Sequence, residues 1–128
     1  MQKNPFYITM SANGAIAARK AVKISSGEAV IAAAETDALI GLNSQLAAAD
    51  NEHADIIVGG VAEGIAGGNI SEGNAVTADS NGDLVAVTNT MKTTGDVRII
   101  GYALADAVDD DIFAVLVQPG LLTKAPSY

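Results

Sequence analysis

Asn74-Ala75-Val76-Thr77-Ala78-Asp79-Ser80-Asn81-Gly82-Asp83-Leu84-Val85-Ala86-Val87-Thr88 decides the fold class. Two short runs with β-branched residues flank a turn built on Asn81-Gly82. β-branched side chains suit the pleated, half-buried surface of a strand. Asn and Gly tolerate the positive φ that a type I′ hairpin turn needs at both central positions. The stretch therefore predicts a hairpin. The sequence around it reads in the same way. Thr93-Thr94-Gly95-Asp96 predicts a turn, and Val97-Arg98-Ile99-Ile100-Gly101-Tyr102-Ala103 a strand. Asp109-Asp110-Asp111 turns the chain into Ile112-Phe113-Ala114-Val115-Leu116-Val117, which Pro119-Gly120 stops because proline has no N–H to give a ladder.

Working outward, one pattern occurs twice. Ile24-Ser25-Ser26-Gly27-Glu28-Ala29-Val30 and Ile70-Ser71-Glu72-Gly73-Asn74-Ala75-Val76 both read Ile-Ser-x-Gly-x-Ala-Val. Ala38-Leu39-Ile40-Gly41-Leu42 then aligns with Asp83-Leu84-Val85-Ala86-Val87, and Leu46-Ala47-Ala48-Ala49-Asp50 with Leu104-Ala105-Asp106-Ala107-Val108. Asp55-Ile56-Ile57-Val58 and Ala114-Val115-Leu116-Val117 close the two series. Such self-similarity points to a duplication, with halves at about residues 19–60 and 65–120. Gly59-Gly60 and Gly67-Gly68 bracket the junction and read as a tight or flexible link rather than a strand interior. Helix is weakly indicated: one or two turns over residues 44–52 with Ser44 as N-cap, and a counterpart around residues 104–108. The expectation is a mainly β protein. It is a small β-barrel or β-sandwich-like domain of two similar halves, with one or two short helical turns and an extended N-terminal arm.

Charge divides the chain. Of 128 residues, Lys and Arg number 7 against 15 Asp and Glu, a net charge of -8. Lys3, Arg19, Lys20 and Lys23 all precede the first acid, Glu28, and only Lys92, Arg98 and Lys124 follow it. Residues 1–18 read as an arm, 19–120 as a single domain and 121–128 as a tail. The basic opening is either a plain terminal tail or an arm that docks on an acidic neighbour, possibly another copy. Phe6, Tyr7 and Ile8 form an apolar cluster in that arm, in a chain with only 4% aromatics. They either pack on their own domain or anchor in another subunit, where aromatics concentrate binding energy. Tyr128, after Pro126, is a weaker candidate. Phe6, Tyr7, Ile8, Arg19 and Lys20 are thus the candidate contacts with another subunit or another protein.

Composition excludes much chemistry. There is no Cys, which removes disulfides, thiolate metal sites and a cysteine nucleophile. His53 is the lone histidine, so a multi-histidine metal centre is excluded, and a surface position among Asp50, Glu52 and Asp55 is its plainest reading. An acidic body suits nucleic acid poorly, because phosphate binding rests on Lys and Arg. No signal peptide or spanning segment is visible in the apolar runs, which places synthesis in the cytosol and excludes a membrane partner. Asp79-Ser80-Asn81-Gly82-Asp83 has its Gly two positions early for a calcium loop, and Thr90 stands where the bidentate Glu belongs. Asp109, Asp110 and Asp111, with Asp106 near, read as a solvated acidic turn before they read as a cation site. Gly59 to Gly68 lacks the Gly-Lys-Ser/Thr of a phosphate loop. No residue is a candidate for catalysis, for cofactor binding or for metal binding.

The opening with Gly14-Ala15-Ile16-Ala17-Ala18, the paired Ile-Ser-x-Gly-x-Ala-Val segments and Ile99-Ile100-Gly101-Tyr102-Ala103-Leu104-Ala105-Asp106-Ala107 resemble the small capsid cement, or head decoration, proteins of tailed bacteriophages. The likeness spans about residues 12–120. Some members of that family are labelled RecA-like recombinases, a label that the missing nucleotide-binding loop argues against. The resemblance implies a β-rich structural protein on the virion's capsid surface that binds the major capsid protein, often as a homotrimer, and no catalytic residues. The competing expectation is a glycan- or receptor-binding β-module of a virion tail or fibre, which would use exposed aromatics. A small metal protein or enzyme using Asp109–Asp111 and His53 is the weakest of the three.

Overall fold

The computed structural model describes residues 5–124. Its elements are β1 (Phe6–Ser11), β2 (Ala21–Ser25), β3 (Glu28–Ile31), β4 (Leu39–Asn43), β5 (His53–Ile65), β6 (Ala75–Ala78), β7 (Leu84–Ala86), α1 (Asn89–Thr94), β8 (Val97–Ala103) and β9 (Ile112–Leu122). The strands form one antiparallel sheet in the order β3-β2-β4-β5-β9-β8-β6-β7, with β1 added beside β5. The mainly β expectation holds, and the sheet stays open rather than closing into a barrel.

β5 is the spine. Its Ile56 and Ile57 pair with β1 on one edge and with β4 on the other. From Gly60 onward it pairs with β9 instead. The change of partner falls where Gly60 takes φ +83°. Gly59-Gly60 therefore lies inside a strand, contrary to the link expected from sequence. The left-handed residue re-aims the strand without ending it, as glycine does at bends and bulges.

The hairpins follow their turn chemistry. β2 and β3 pair up to Ser25 opposite Glu28, so the loop is Ser26-Gly27. Both residues have positive φ, 52° and 78°, the type I′ signature. β6 and β7 pair as predicted, with Val76 opposite Ala86 and Ala78 opposite Leu84. Their turn is not type I′, because Gly82 is left-handed there and Asn81 is not. Asp79 organises it: its Oδ1 accepts from Asn81 N at 2.8 Å and from Asp83 N at 3.0 Å. A carboxylate that bonds the backbone two residues on builds an Asx turn, which replaces the two-residue loop.

The two halves repeat one bonding pattern. Ile16 exchanges both backbone bonds with Ala48, and Ile70 does so with Ala107. Ala12 N donates to Glu52 O as Ala66 N donates to Asp111 O. Asn51 and Asp110 share a left-handed φ, 68° and 70°. Arg19 and Gly73 share another, 63° and 85°. These correspondences pair Ile70–Val76 with Ile16-Ala17-Ala18-Arg19-Lys20-Ala21-Val22. The sequence match pairs it with Ile24–Val30 instead. That match reflects two unrelated turns that both need a left-handed glycine, at Gly27 and Gly73.

The helical turns expected at residues 44–52 and 104–108 are absent. Ala48 and Ala107 give both backbone groups to the bridges just described, which a helix would need for itself. A helix forms instead over Asn89–Thr94, one turn earlier than the turn read at Thr93-Asp96. Thr88 Oγ1 caps it by accepting from Met91 N at 3.2 Å.

The core has two parts. One joins both halves: Ala21, Leu39 and Leu42 pack with Ala62, Val76, Leu84, Ile100, Phe113, Val115 and Val117. The other is local to the first half, with Ala12, Ile16, Val22, Ala29, Ala48, Ala54 and Ile56. Ala12 and Ile16 are fully buried, so the opening segment is woven into the domain from β1 onward and not held apart from it.

Candidate functional site

β1 lies outermost along the near half of β5. Its sequence Phe-Tyr-Ile-Thr-Met is a strong strand former with no charge to blunt it. Phe6, Tyr7 and Ile8 are 76%, 59% and 44% exposed. Successive residues of a strand point to opposite faces, so both faces of β1 are bare here. Thr9 Oγ1 donates to Asp55 Oδ1 at 2.8 Å and fixes the strand against β5. Beside it runs a groove of about 310 Å³ lined by Tyr7, Leu46, Ile57 and Val61, with Asp55 and Glu63 among its polar lining residues. The apolar members of the candidate contact set thus share one exposed strand.

Arg19 and Lys20 are elsewhere and already engaged. Arg19 Nε lies 3.2 Å from Glu63 Oε1, which also accepts from Gln45 Nε2 at 2.8 Å. Lys20 Nζ pairs with Asp83 in the β6–β7 turn, where Ala21 N also donates to Gly82 O. Lys23 Nζ is 3.6 Å from Asp37 Oδ2. The acidic neighbour that Arg19 and Lys20 meet is the second half of the same chain. Lys3 and Tyr128 lie outside the described residues.

A second apolar surface escaped the sequence reading. On β9, Phe113, Val115 and Val117 are buried while Ile112 and Leu116 face out, at 54% and 37% exposure. Leu116 stands opposite Tyr102 on one side and Val61 on the other; Ile112 stands opposite Ile65. The signal was present: residues 112–117 are apolar at every position, the mark of a strand covered on both faces. The repeat sharpens it. Leu42 opposite Ile57 in the first half corresponds to Tyr102 opposite Leu116 in the second, both beside a glycine that lets the strands close up. Leu42 is fully buried against the second half, whereas Tyr102 and Leu116 are each 37% exposed.

Two carboxylates at the acidic turn accept from backbone N–H groups. Asp111 Oδ2 accepts from Val108 N at 3.0 Å and Asp106 Oδ1 from Glu72 N at 2.9 Å. Glu52 Oε1 does the same for Ala49 N in the first half. Among the described residues, no three His, Cys, Asp or Glu side chains are grouped to hold a metal ion. His53 is exposed at the start of β5, opposite Ser11. No helix among the described residues is long and apolar enough to cross a membrane.

Two exposed apolar surfaces, on β1 and on β9, are thus the main candidates for contacts. A model of the phage cement protein family matches residues 1–119. No curated protein matches the chain. Among solved structures, the N base of the head fiber gp8.5 of bacteriophage phi29 superimposes with a TM-score of 0.62 at 17% identity. The match covers 90% of this chain and 95% of that one, and it speaks for a shared fold.

Proposed function

The chain belongs to the phage cement protein family and is a structural component of a virion, and from that premise we propose that it decorates the outer surface of a phage head and clamps neighbouring major capsid protein subunits. The family match over residues 1–119 is the observation that carries this reading. A protein that binds assembled shell and not free subunits stabilises assembly by linkage, at about 1.4 kcal/mol per tenfold in affinity. Many weak clamps on one lattice then suffice for capsid stabilisation. The reading assigns no catalysis and no cofactor to the chain, and it has the protein made in the host cytoplasm before it joins the virion.

The proposal includes a homotrimer. Tyr102 and Leu116 present, uncovered, the strand pair whose counterpart in the first half has Leu42 buried and Ile57 partly buried within the chain. A second copy seated there makes a head-to-tail contact, and such contacts close into rings when the rotation allows. Phe6, Tyr7 and Ile8 remain for the shell. Arg19 and Lys20, held by Glu63 and Asp83, would support the shell contact by fixing the start of β2 against the second half. The glycan-binding alternative is not favoured by the family match.

The test is addition of the purified protein to undecorated heads. Co-sedimentation with the heads, and a rise in their resistance to heat, is the expected result. Heads that neither retain the protein nor gain resistance would overturn the reading.

A further inference from the structure

We propose that β1 is an open docking edge that takes up an extended segment of the shell protein as an additional strand. The inference rests on the shell-binding reading above and specifies its contact.

The direction of the backbone groups comes first. Ala12 N donates to Glu52 O, and Asn51 N to Ala12 O, so even-numbered positions of this ladder face β5. Ser44 N takes Asp55 O on the far side of β5, which turns Asp55 away from its partner Thr9. Ile8 and Met10 therefore spend their N–H and C=O on β5, while those of Tyr7 and Thr9 point outward. Asn13, two places beyond Ser11 in the outward series, gives its N–H to Ala29 O, where β3 closes that edge. Among the described residues, no strand closes it at Tyr7 and Thr9.

Proteins usually blunt such an edge with lysine, proline, a bulge or a covering loop. From Tyr7 to Met10 β1 has no charged residue and no proline, and Tyr7, Ile8 and Thr9 are exposed. The irregularity in its pairing lies at Phe6/Tyr7, outside the open stretch. An added strand would gain backbone hydrogen bonds for affinity and place alternate side chains in the adjoining groove beside Tyr7, Leu46 and Val61.

Charge identifies the occupant. Asp50, Glu52 and Asp55 lie along the loop and strand that β1 contacts, and the chain as a whole is at -8. A second copy pairing through its own β1 would bring those acids together, and like charges across strands are destabilising. The segment that fits is extended, apolar and neutral or basic, and it comes from the shell.

Thr9→Pro removes the outward N–H and keeps Phe6, Tyr7 and Ile8. Thr9→Ala keeps the N–H and loses only the hydroxyl and the γ-methyl. On undecorated heads, Thr9→Pro should bind about tenfold more weakly than the natural chain, and Thr9→Ala should bind as it does. A melting curve checks that the proline variant is folded. Hydrogen–deuterium exchange of the unaltered protein gives a reading free of folding effects: the β1 peptide should exchange fast alone and slowly on heads. No added protection, or equal loss in both variants, would overturn the edge. Loss of free oligomer mass in Thr9→Pro would assign the edge to a second copy and overturn the shell segment. If the natural chain itself ignores the heads, the cement reading fails, and that outcome is separate from the others.

Discussion

Gly41 and Gly101 do the same job in the two halves. A Cβ on Gly41 would stand 2.0 Å from Ile57 O, and one on Gly101 would stand 1.9 Å from Leu116 O. Each glycine lets a strand close onto its neighbour at matching points, β4 on β5 and β8 on β9. The obstacle is backbone, so it cannot swing aside.

Gly41→Ala and Gly101→Ala should therefore each destabilise the fold by about 1–3 kcal/mol or more, the range of overpacked cores. Urea unfolding followed by circular dichroism measures this. A midpoint unchanged in both variants would contradict the shared close approach.

Gly60 makes a different demand. Its φ of +83° is disfavoured for any side chain, while a Cβ on Gly59 would meet Phe6 Cβ at an ordinary 3.4 Å. Gly60→Ala is expected to cost about 1–2 kcal/mol. Gly59→Ala should be neutral or stabilise by up to about 1 kcal/mol through the unfolded chain. Equal effects of the two substitutions would count against a bend at Gly60.

The Lys20–Asp83 pair ties the first half to the β6–β7 turn, with side chains only 18% and 13% exposed. Asp83→Leu alone leaves a half-buried ammonium unpaired and should cost about 1–3 kcal/mol, between the exposed and buried limits for ion pairs. Lys20→Met together with Asp83→Leu should recover most of that loss. A double variant no better than the single one would show the pair to be incidental.

Much of this was legible in the residues. The Val and Thr runs around Asn81-Gly82 specified a hairpin, and residues 112–117 a strand, because turn chemistry and β-branching act locally. The repeat was visible, but its register was not. Ser26-Gly27 and Gly73 look alike as text, yet one is a two-residue hairpin loop and the other has its counterpart at Arg19, a left-handed residue that carries no glycine to announce it. The helix read at residues 44–52 failed because Ala48 is claimed by Ile16, a contact remote in sequence. Charge asymmetry singles out Arg19 and Lys20, but charge alone does not say that Glu63 and Asp83 of the same chain pair with them. Phe6, Tyr7 and Ile8 were picked out by aromatic scarcity, and their exposure makes them the part of the candidate set still open to a partner.

Leu116→Lys tests the outer face of β9. Leu116 is half-exposed and points away from Val115 and Val117, so the lone chain should keep its melting temperature to within a few degrees. Light scattering should show the proposed homotrimer reduced to smaller species. A variant that keeps its full mass would remove this face from the subunit contact.

β5 runs unbroken for 13 residues, about 40 Å of extended chain, through both halves of the molecule. A pull applied at its β1 end reaches its β9 end along covalent bonds, through the bend at Gly60. Where a two-domain linker would stretch first, this strand behaves as a tie rod. Whatever is held at the β1 end would then be mechanically coupled, through this one strand, to whatever is held at the β9 end.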